Sequence, residues 1–210
     1  MPDTVPPEFK PEFRNAERLK FFTDAVIAIA LTLLALPLLE SVPEAAREKL
    51  TAAEWLEKSN GQLIGFCVSF AVVTNFWVTH HRVYEHVRSY SAALMGLNFA
   101  WMFTIVFLQL PSALMYALPT DRTMIALYIG TMLLSSTLLT GMVWYVFRHP
   151  ELQEPANPQP WGSVATSLAS TTLMAAALAL ALAAPQINYF ALFLLMLVGV
   201  VRRVFMRGRS

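Results

Sequence analysis

Charge is scarce in this chain. Asp, Glu, Lys and Arg make up 14% of its 210 residues, where a soluble domain carries roughly 25%, while 56% of the residues are hydrophobic and the mean hydropathy is +0.52. That deficit points to lipid as solvent. An excess of one sign is lacking too: the formal net charge is +1, so no global field recruits nucleic acid or an acidic substrate, and no nucleic-acid partner is expected. A single cysteine, Cys67, lies inside an apolar run and excludes an internal disulfide. The stretch 1–13 is rich in proline and charge and has no apolar h-region, so it reads as a tail and not as a cleavable signal peptide. No Gly-rich phosphate loop, zinc-type Cys/His cluster or nucleophile elbow occurs. Neither an enzyme nor a resident cofactor or metal is expected.

What is present is a series of six apolar stretches, running approximately over 21–39, 61–79, 92–118, 123–147, 161–184 and 186–201. Each approaches or exceeds the roughly 17–25 residues that a helix needs to cross the hydrocarbon of a bilayer. The last two form one tract too long for a single crossing, which Pro185, Gln186 and Asn188 divide into a hairpin. The runs do not alternate with period two, so strands are not expected. The predicted fold is an all-α integral membrane protein with six transmembrane helices per subunit, a single multi-pass domain over 14–206 flanked by tails 1–13 and 207–210.

Basic residues orient it. With six crossings, Lys10, Arg14, Arg18, Lys20, Arg82, Arg88, Arg148, Arg202, Arg203, Arg207 and Arg209 share one side, and only Arg47, Lys49, Lys58 and Arg122 fall opposite. By the positive-inside rule both termini are cytoplasmic, in a cell membrane. Trp55, Tyr84, Tyr145 and Trp161 fit interfacial anchors. The acidic outer loop 40–60 has room for a short amphipathic helix at 52–58, and the four prolines of 148–160 read as a linker.

The most informative segment is Arg18-Leu19-Lys20-Phe21-Phe22-Thr23-Asp24 with the apolar helix that follows. Polar groups at the edge of a bilayer are costly and are usually kept for a purpose. At about 100° per residue, Ile29, Thr32, Leu33 and Leu36 share one face, and Asp24 points away from it. Around a symmetry axis this stripe would give apolar rings and one hydroxyl ring, and apolar rings gate by dewetting. The same spacing fits a face turned to lipid or to neighbouring helices. The second stretch ends Asn75-Phe76-Trp77-Val78-Thr79-His80-His81-Arg82 at the depth of Asp24, so Asn75, the Trp77 indole, His80 or His81 can partner that carboxylate. His80, His81 and His86 lack the i, i+4 spacing of a metal pair. A proton relay through Asp24 and the histidines is chemically feasible and defines an alternative, a proton-coupled transporter. The third stretch carries Asn98 early and Leu110-Pro111 late, where proline can kink a helix.

Three of these motifs line up with one family. Arg18-xxx-Phe22-Thr23-Asp24 resembles the Arg-xxx-Phe-Ser-Asp signature of the transmembrane protein 175 potassium channels. Phe76-Trp77-Val78-Thr79-His80-His81 is similar to their second-helix motif, and Asn98 with Leu110-Pro111 to their third. The resemblance implies a homotetrameric, leak-type potassium channel whose first helix lines the pore. Its apolar constrictions would fall on Ile29, Leu33 and Leu36 with Thr32 as the polar layer, and potassium would be the permeant ion. The Thr-Val-Gly-Tyr-Gly filter of other potassium channels is absent from both. Arg18, Phe22, Thr23, Asp24, Trp77, His80, His81 and Asn98 would then be scaffold. Thr23 stands where the family has Ser, which keeps the hydroxyl and adds a methyl.

Overall fold

The computed structural model describes residues 14–118 and 121–207, so the predicted tail 1–13 and residues 208–210 lie outside the described residues. The chain is built from helices: α1 (Ala16–Leu33), α2 (Leu36–Arg47), α3 (Ala52–Lys58), α4 (Asn60–Tyr84), α5 (Ala92–Phe107), α6 (Gln109–Ala117), α7 (Arg122–Arg148), α8 (Trp161–Ala183) and α9 (Val198–Arg207). Among the described residues five segments are long and apolar enough to cross a membrane: Ala16–Arg47, Asn60–Tyr84, Ala92–Met115, Arg122–Arg148 and Trp161–Ala183. The sixth apolar tract is wound differently, as a 3-10 segment over Pro185–Leu197 that becomes α9, and both pieces pack back against α8.

Successive long helices run up and down. Asp24 near the start of α1 meets Trp77 near the end of α4, and Thr23 meets Asn98 early in α5. Ser91, the N-cap of α5, bonds Tyr145 near the end of α7. Trp144 in α7 stacks edge-on with Trp161, which opens α8. On α8, Ala165, Ala169, Ala177 and Ala181 are buried along one stripe, at spacings of four and eight residues. Such small side chains let two helix backbones approach closely, as suits helices with no hydrophobic drive between them. Threonine and serine hydroxyls join α7 to α8: Thr171 lies 2.8 Å from both Ser136 and Thr140.

Two predicted spans are broken, and the same atom explains both. The first stretch stops at Leu33, turns through Leu34 and Ala35, and resumes at Leu36. The third stops at Phe107 and resumes at Gln109. In each case the last residue lies four before a proline, Pro37 or Pro111. A proline has no N–H to offer the carbonyl at i−4, and its ring crowds that carbonyl. The outer loop is therefore shorter than expected, since α2 continues to Arg47.

Helix α3 occupies the predicted 52–58. A capping box starts it, with Thr51 N–H donating to Glu54 Oε2 at 2.7 Å and Glu54 N–H to Thr51 Oγ1 at 3.3 Å. Lys58 bonds Glu48 at 2.7 Å, and the Trp55 indole donates to Ser41 at 3.0 Å, which fasten α3 to α2.

Two expectations for the opposite end are corrected. A two-residue antiparallel ribbon does form, pairing Arg14–Asn15 with Ser89–Tyr90. Elements this short leave no periodicity to read. The segment 148–160 is not a loose linker but an ordered strap over the α4–α5 turn. Arg88 N–H donates to the Leu152 carbonyl at 2.9 Å, Glu154 N–H to that of His86 at 2.9 Å, and Leu152 is buried. Prolines stiffen such a strap as readily as they open a loop.

Candidate functional site

Helix α1 has two faces with different fates. Ala16, Leu19, Thr23, Ile27 and Ala30, at spacings of three and four, are buried against α4 and α5. On the other side Ile29 is 60%, Leu33 45% and Leu36 47% exposed, and Leu33 and Leu36 also border a recess lined by Phe66 and Ser69 of α4 and by Leu110 and Ser112 of α6. Leu36 lies beyond the Leu34–Ala35 turn, as the first residue of α2. Thr32 is also exposed, and its hydroxyl donates to the Ile29 carbonyl at 2.7 Å. What it presents outward is oxygen lone pairs, because its proton is already engaged.

The buried face is fixed by a directed chain of hydrogen bonds through three helices. Thr23 Oγ1 donates to the Leu19 carbonyl at 2.8 Å, and Asn98 Nδ2 donates to Thr23 Oγ1 at 2.9 Å. The Asn98 oxygen lies 2.7 Å from His80 Nε2. Since Asn98 presents its carbonyl there, His80 must carry its proton on Nε2 and donate it. Thr23, Asn98 and His80 are all fully buried. The His80 ring is sandwiched, at 4.3 Å and 3° on Trp101 and at 4.5 Å and 28° on Tyr84.

Asp24 belongs to a second, more exposed set. Among the possible partners the structure brings it Trp77, whose Nε1 donates to Asp24 Oδ1 at 2.8 Å. His81 packs on that indole at 5.3 Å and lies 4.0 Å from Glu85. Phe22 lies against Phe99 at 6.0 Å. Arg18 is exposed on the first turn of α1, and Asn75 is exposed on α4. Neither hydrogen-bonds Asp24. The two histidines thus face different neighbours, and among the described residues no three His, Cys, Asp or Glu side chains come together as a metal would require.

Sequence reasoning missed Trp101 and Phe99, and it read Tyr84 as an interfacial anchor where the structure buries it against His80. Trp101 lies three residues after Asn98 and Tyr84 four after His80, each on the same helical face as its neighbour. That spacing was the available signal.

The segment holding Arg18, Thr23, Asp24, Trp77, His80 and Asn98 is also the segment matched by a family model. The model described as "Endosomal/lysosomal potassium channel TMEM175" covers residues 18–108. The chain belongs to the TMEM175 family. A potassium channel of Streptomyces collinus is 29% identical over 151 residues, covering 68% of this chain and 70% of that protein. The endosomal/lysosomal proton channel TMEM175 of Danio rerio is 28% identical over 144 residues, 66% of this chain and 26% of that protein. The match thus spans about a quarter of the zebrafish relative's length. The fold matches the crystal structure of a lysosomal potassium-selective channel TMEM175 homolog from Chamaesiphon minutus, with a TM-score of 0.65 and 20% identity. That alignment covers 93% of this chain and 98% of the other. As a TMEM175-family protein with five apolar membrane-length helices, the chain is a multi-pass membrane protein.

Proposed function

We propose that this chain forms a potassium-permeable, leak-type channel: a homotetramer of six-crossing subunits in the cell membrane, both termini cytoplasmic, with the pore lined by α1. Residues 185–207 supply the sixth crossing. Ile29, Leu33 and Leu36 form the constrictions and Thr32 the polar layer between them. Arg18, Phe22, Thr23, Asp24, Trp77, His80, His81 and Asn98 hold α1 in place.

The observation that carries this reading is the division of α1. One face is locked to α4 and α5 by the Thr23–Asn98–His80 chain, and the other turns Ile29, Thr32 and Leu33 outward. Four such faces around an axis would make rings of branched aliphatic side chains, which exclude water and ions until widened. The Thr32 oxygens, their protons committed to the Ile29 carbonyls, would offer a cation lone pairs at the one polar level. Isoleucine and leucine rings carry no ligands to replace a hydration shell, so selectivity would be modest.

The transporter alternative has less behind it. Asp24 is engaged with Trp77 and His80 with Asn98 in separate hydrogen-bond sets at one end of the bundle, whereas a secondary transporter binds near the midplane. The relatives carry the name of channels.

Liposome flux and single-channel recording of Ile29→Asn test the proposal. A polar ring should hydrate the neck, raise current and weaken the preference for potassium over sodium. Flux and selectivity both equal to wild type would remove Ile29 from the constriction.

A further inference from the structure

At the end of the bundle where α1 and α8 begin, a recess of about 320 Å³ opens between α4, α7, α8 and α9. Arg82 from α4 and Arg202 from α9 both line it, and neither forms an ion pair among the described residues. The first turn of α8 forms its floor. That 23-residue helix has no side-chain N-cap and no carboxylate in its first turn, where Ser163 N–H donates to the Pro160 carbonyl at 3.1 Å. Arg202 comes close to this turn: a Cβ added to Gly162 would lie 3.2 Å from Arg202 Nη2, an approach that glycine leaves open. Gln159, two residues before α8, also lines the recess. It is only 5% exposed, and among the described residues neither its side-chain Nε2 nor its Oε1 has a hydrogen-bond partner.

These features share one sign. A helix N-terminus carries about half a positive charge, and two guanidinium groups beside it would repel it and each other. A buried carboxamide without a partner costs free energy as well. A phosphate group would answer all of them, taking guanidinium N–H groups, the α8 backbone N–H groups and the Gln159 amide as donors.

We infer that this recess is a binding site for a phosphate-bearing anion, either the headgroup of an anionic lipid or a soluble phosphate, held by Arg82, Arg202, Gln159 and the first turn of α8. It lies apart from the α1 stripe and from the Thr23–Asn98–His80 chain, so it does not depend on the channel reading.

The full-length protein tests this in two arms. In the first, native mass spectrometry measures retention of phosphatidylglycerol against phosphatidylcholine. In the second, delipidated protein in detergent is titrated with inorganic phosphate against chloride at equal ionic strength, and thermal stability is read. Saturable binding in the first arm only assigns a lipid headgroup, and in the second a soluble anion. With roughly one contact's worth of attraction lost per arginine, Arg82→Gln/Arg202→Gln should weaken whichever binding occurs by about tenfold or more, and Arg203→Gln should leave it unchanged. If the double variant does not fold, the single Arg202→Gln on the exposed face of α9 should still show a loss of a few-fold. Absence of saturable binding of either probe to wild type, or equal binding by the arginine variants, would overturn the site.

Discussion

Replacing Asn98 with leucine isolates what fixes α1. Asn98→Leu keeps the branching of the side chain at a buried position and removes two hydrogen bonds, to Thr23 and from His80. The two losses are unequal. Thr23 still donates to the Leu19 carbonyl, so its own proton remains satisfied. His80 fares worse, because its Nδ1 already lacks a partner and loss of Asn98 would orphan Nε2–H as well, at a site fully closed to solvent. A buried donor left without an acceptor costs about 1–3 kcal/mol. Hydrogen bonds between membrane helices average nearer 0.6 kcal/mol, because an unfolded chain in the membrane also finds partners. The complete burial of His80 places the expected loss in the upper range, about 1–3 kcal/mol.

The discriminating measurement is a double-mutant cycle with His80→Phe, which keeps a ring between Trp101 and Tyr84 and removes the donor. Replacing both partners by apolar groups of similar shape is nearly neutral compared with orphaning one. The double variant should therefore recover about 1 kcal/mol or more of the summed single losses. Reversible unfolding in mixed micelles, followed by tryptophan fluorescence, gives the four stabilities. Additivity to within about 0.5 kcal/mol would show that His80 and Asn98 do not act as a unit, and the directed chain would fall with it.

Further outcomes follow from the same geometry. Asp24→Ala should lower assembly or thermal stability more than it alters ion preference, since the carboxylate meets Trp77 on the side away from the stripe, and Trp77→Phe should reproduce it; an intact tetramer with reversed cation preference would place Asp24 in the conduction path. Asp24→Asn retains Oδ1 as an acceptor and should be milder than Asp24→Ala in the same melt. At the other end of the bundle, the backbone N–H of Thr51 and then its hydroxyl hold the Glu54 carboxyl below its ordinary range. A lowered folded value means that the capping contribution is complete above the ordinary carboxylate range and is lost as pH falls through the lowered one. Hydrogen-exchange protection of α3 should thus fall on acidification, whereas Glu54→Gln, which caps without titrating, should stay flat; equal pH dependence in both would refute this.

How much of this was legible in the residues depends on the physics behind each feature. Lipid requires long apolar runs, so the helices at 122–148 and 161–183 could be placed almost to their ends, while that at 60–84 runs five residues past its expected end. The amphipathic character of 52–58 made α3 readable, while the Thr51–Glu54 capping box that starts it was a signal left unused. The break after Leu33 was missed, although Pro37 marks it, because hydropathy is indifferent to a missing N–H. The strap over 148–160 was unreadable, since its bonds run from backbone atoms to the distant residues His86 and Arg88.

The site shows the same division. Thr23, Trp77, His80 and Asn98 stand out in the chain because polar groups within apolar runs need partners, and need alone narrows the pairing to a few choices. The pairing itself, Asp24 with Trp77 and His80 with Asn98, depends on which face of α4 meets α1 and which meets α5. His80 and Trp77 are three residues apart, only about 60° apart around the helix, so on one broad face of α4 His80 meets α5 while Trp77 meets the α1 carboxylate. The outward stripe is harder to read, because Ile29 and Leu33 suit lipid and a dewetting neck equally well. What separates the two is the inner face. A helix whose Thr23 is tied through Asn98 to His80 cannot rotate to bury its aliphatic edge, so that edge must be covered by lipid or by another copy of itself. Thr32 favours the second cover, since a hydroxyl oxygen at that depth with two lone pairs free gains nothing from acyl chains and can serve a passing cation.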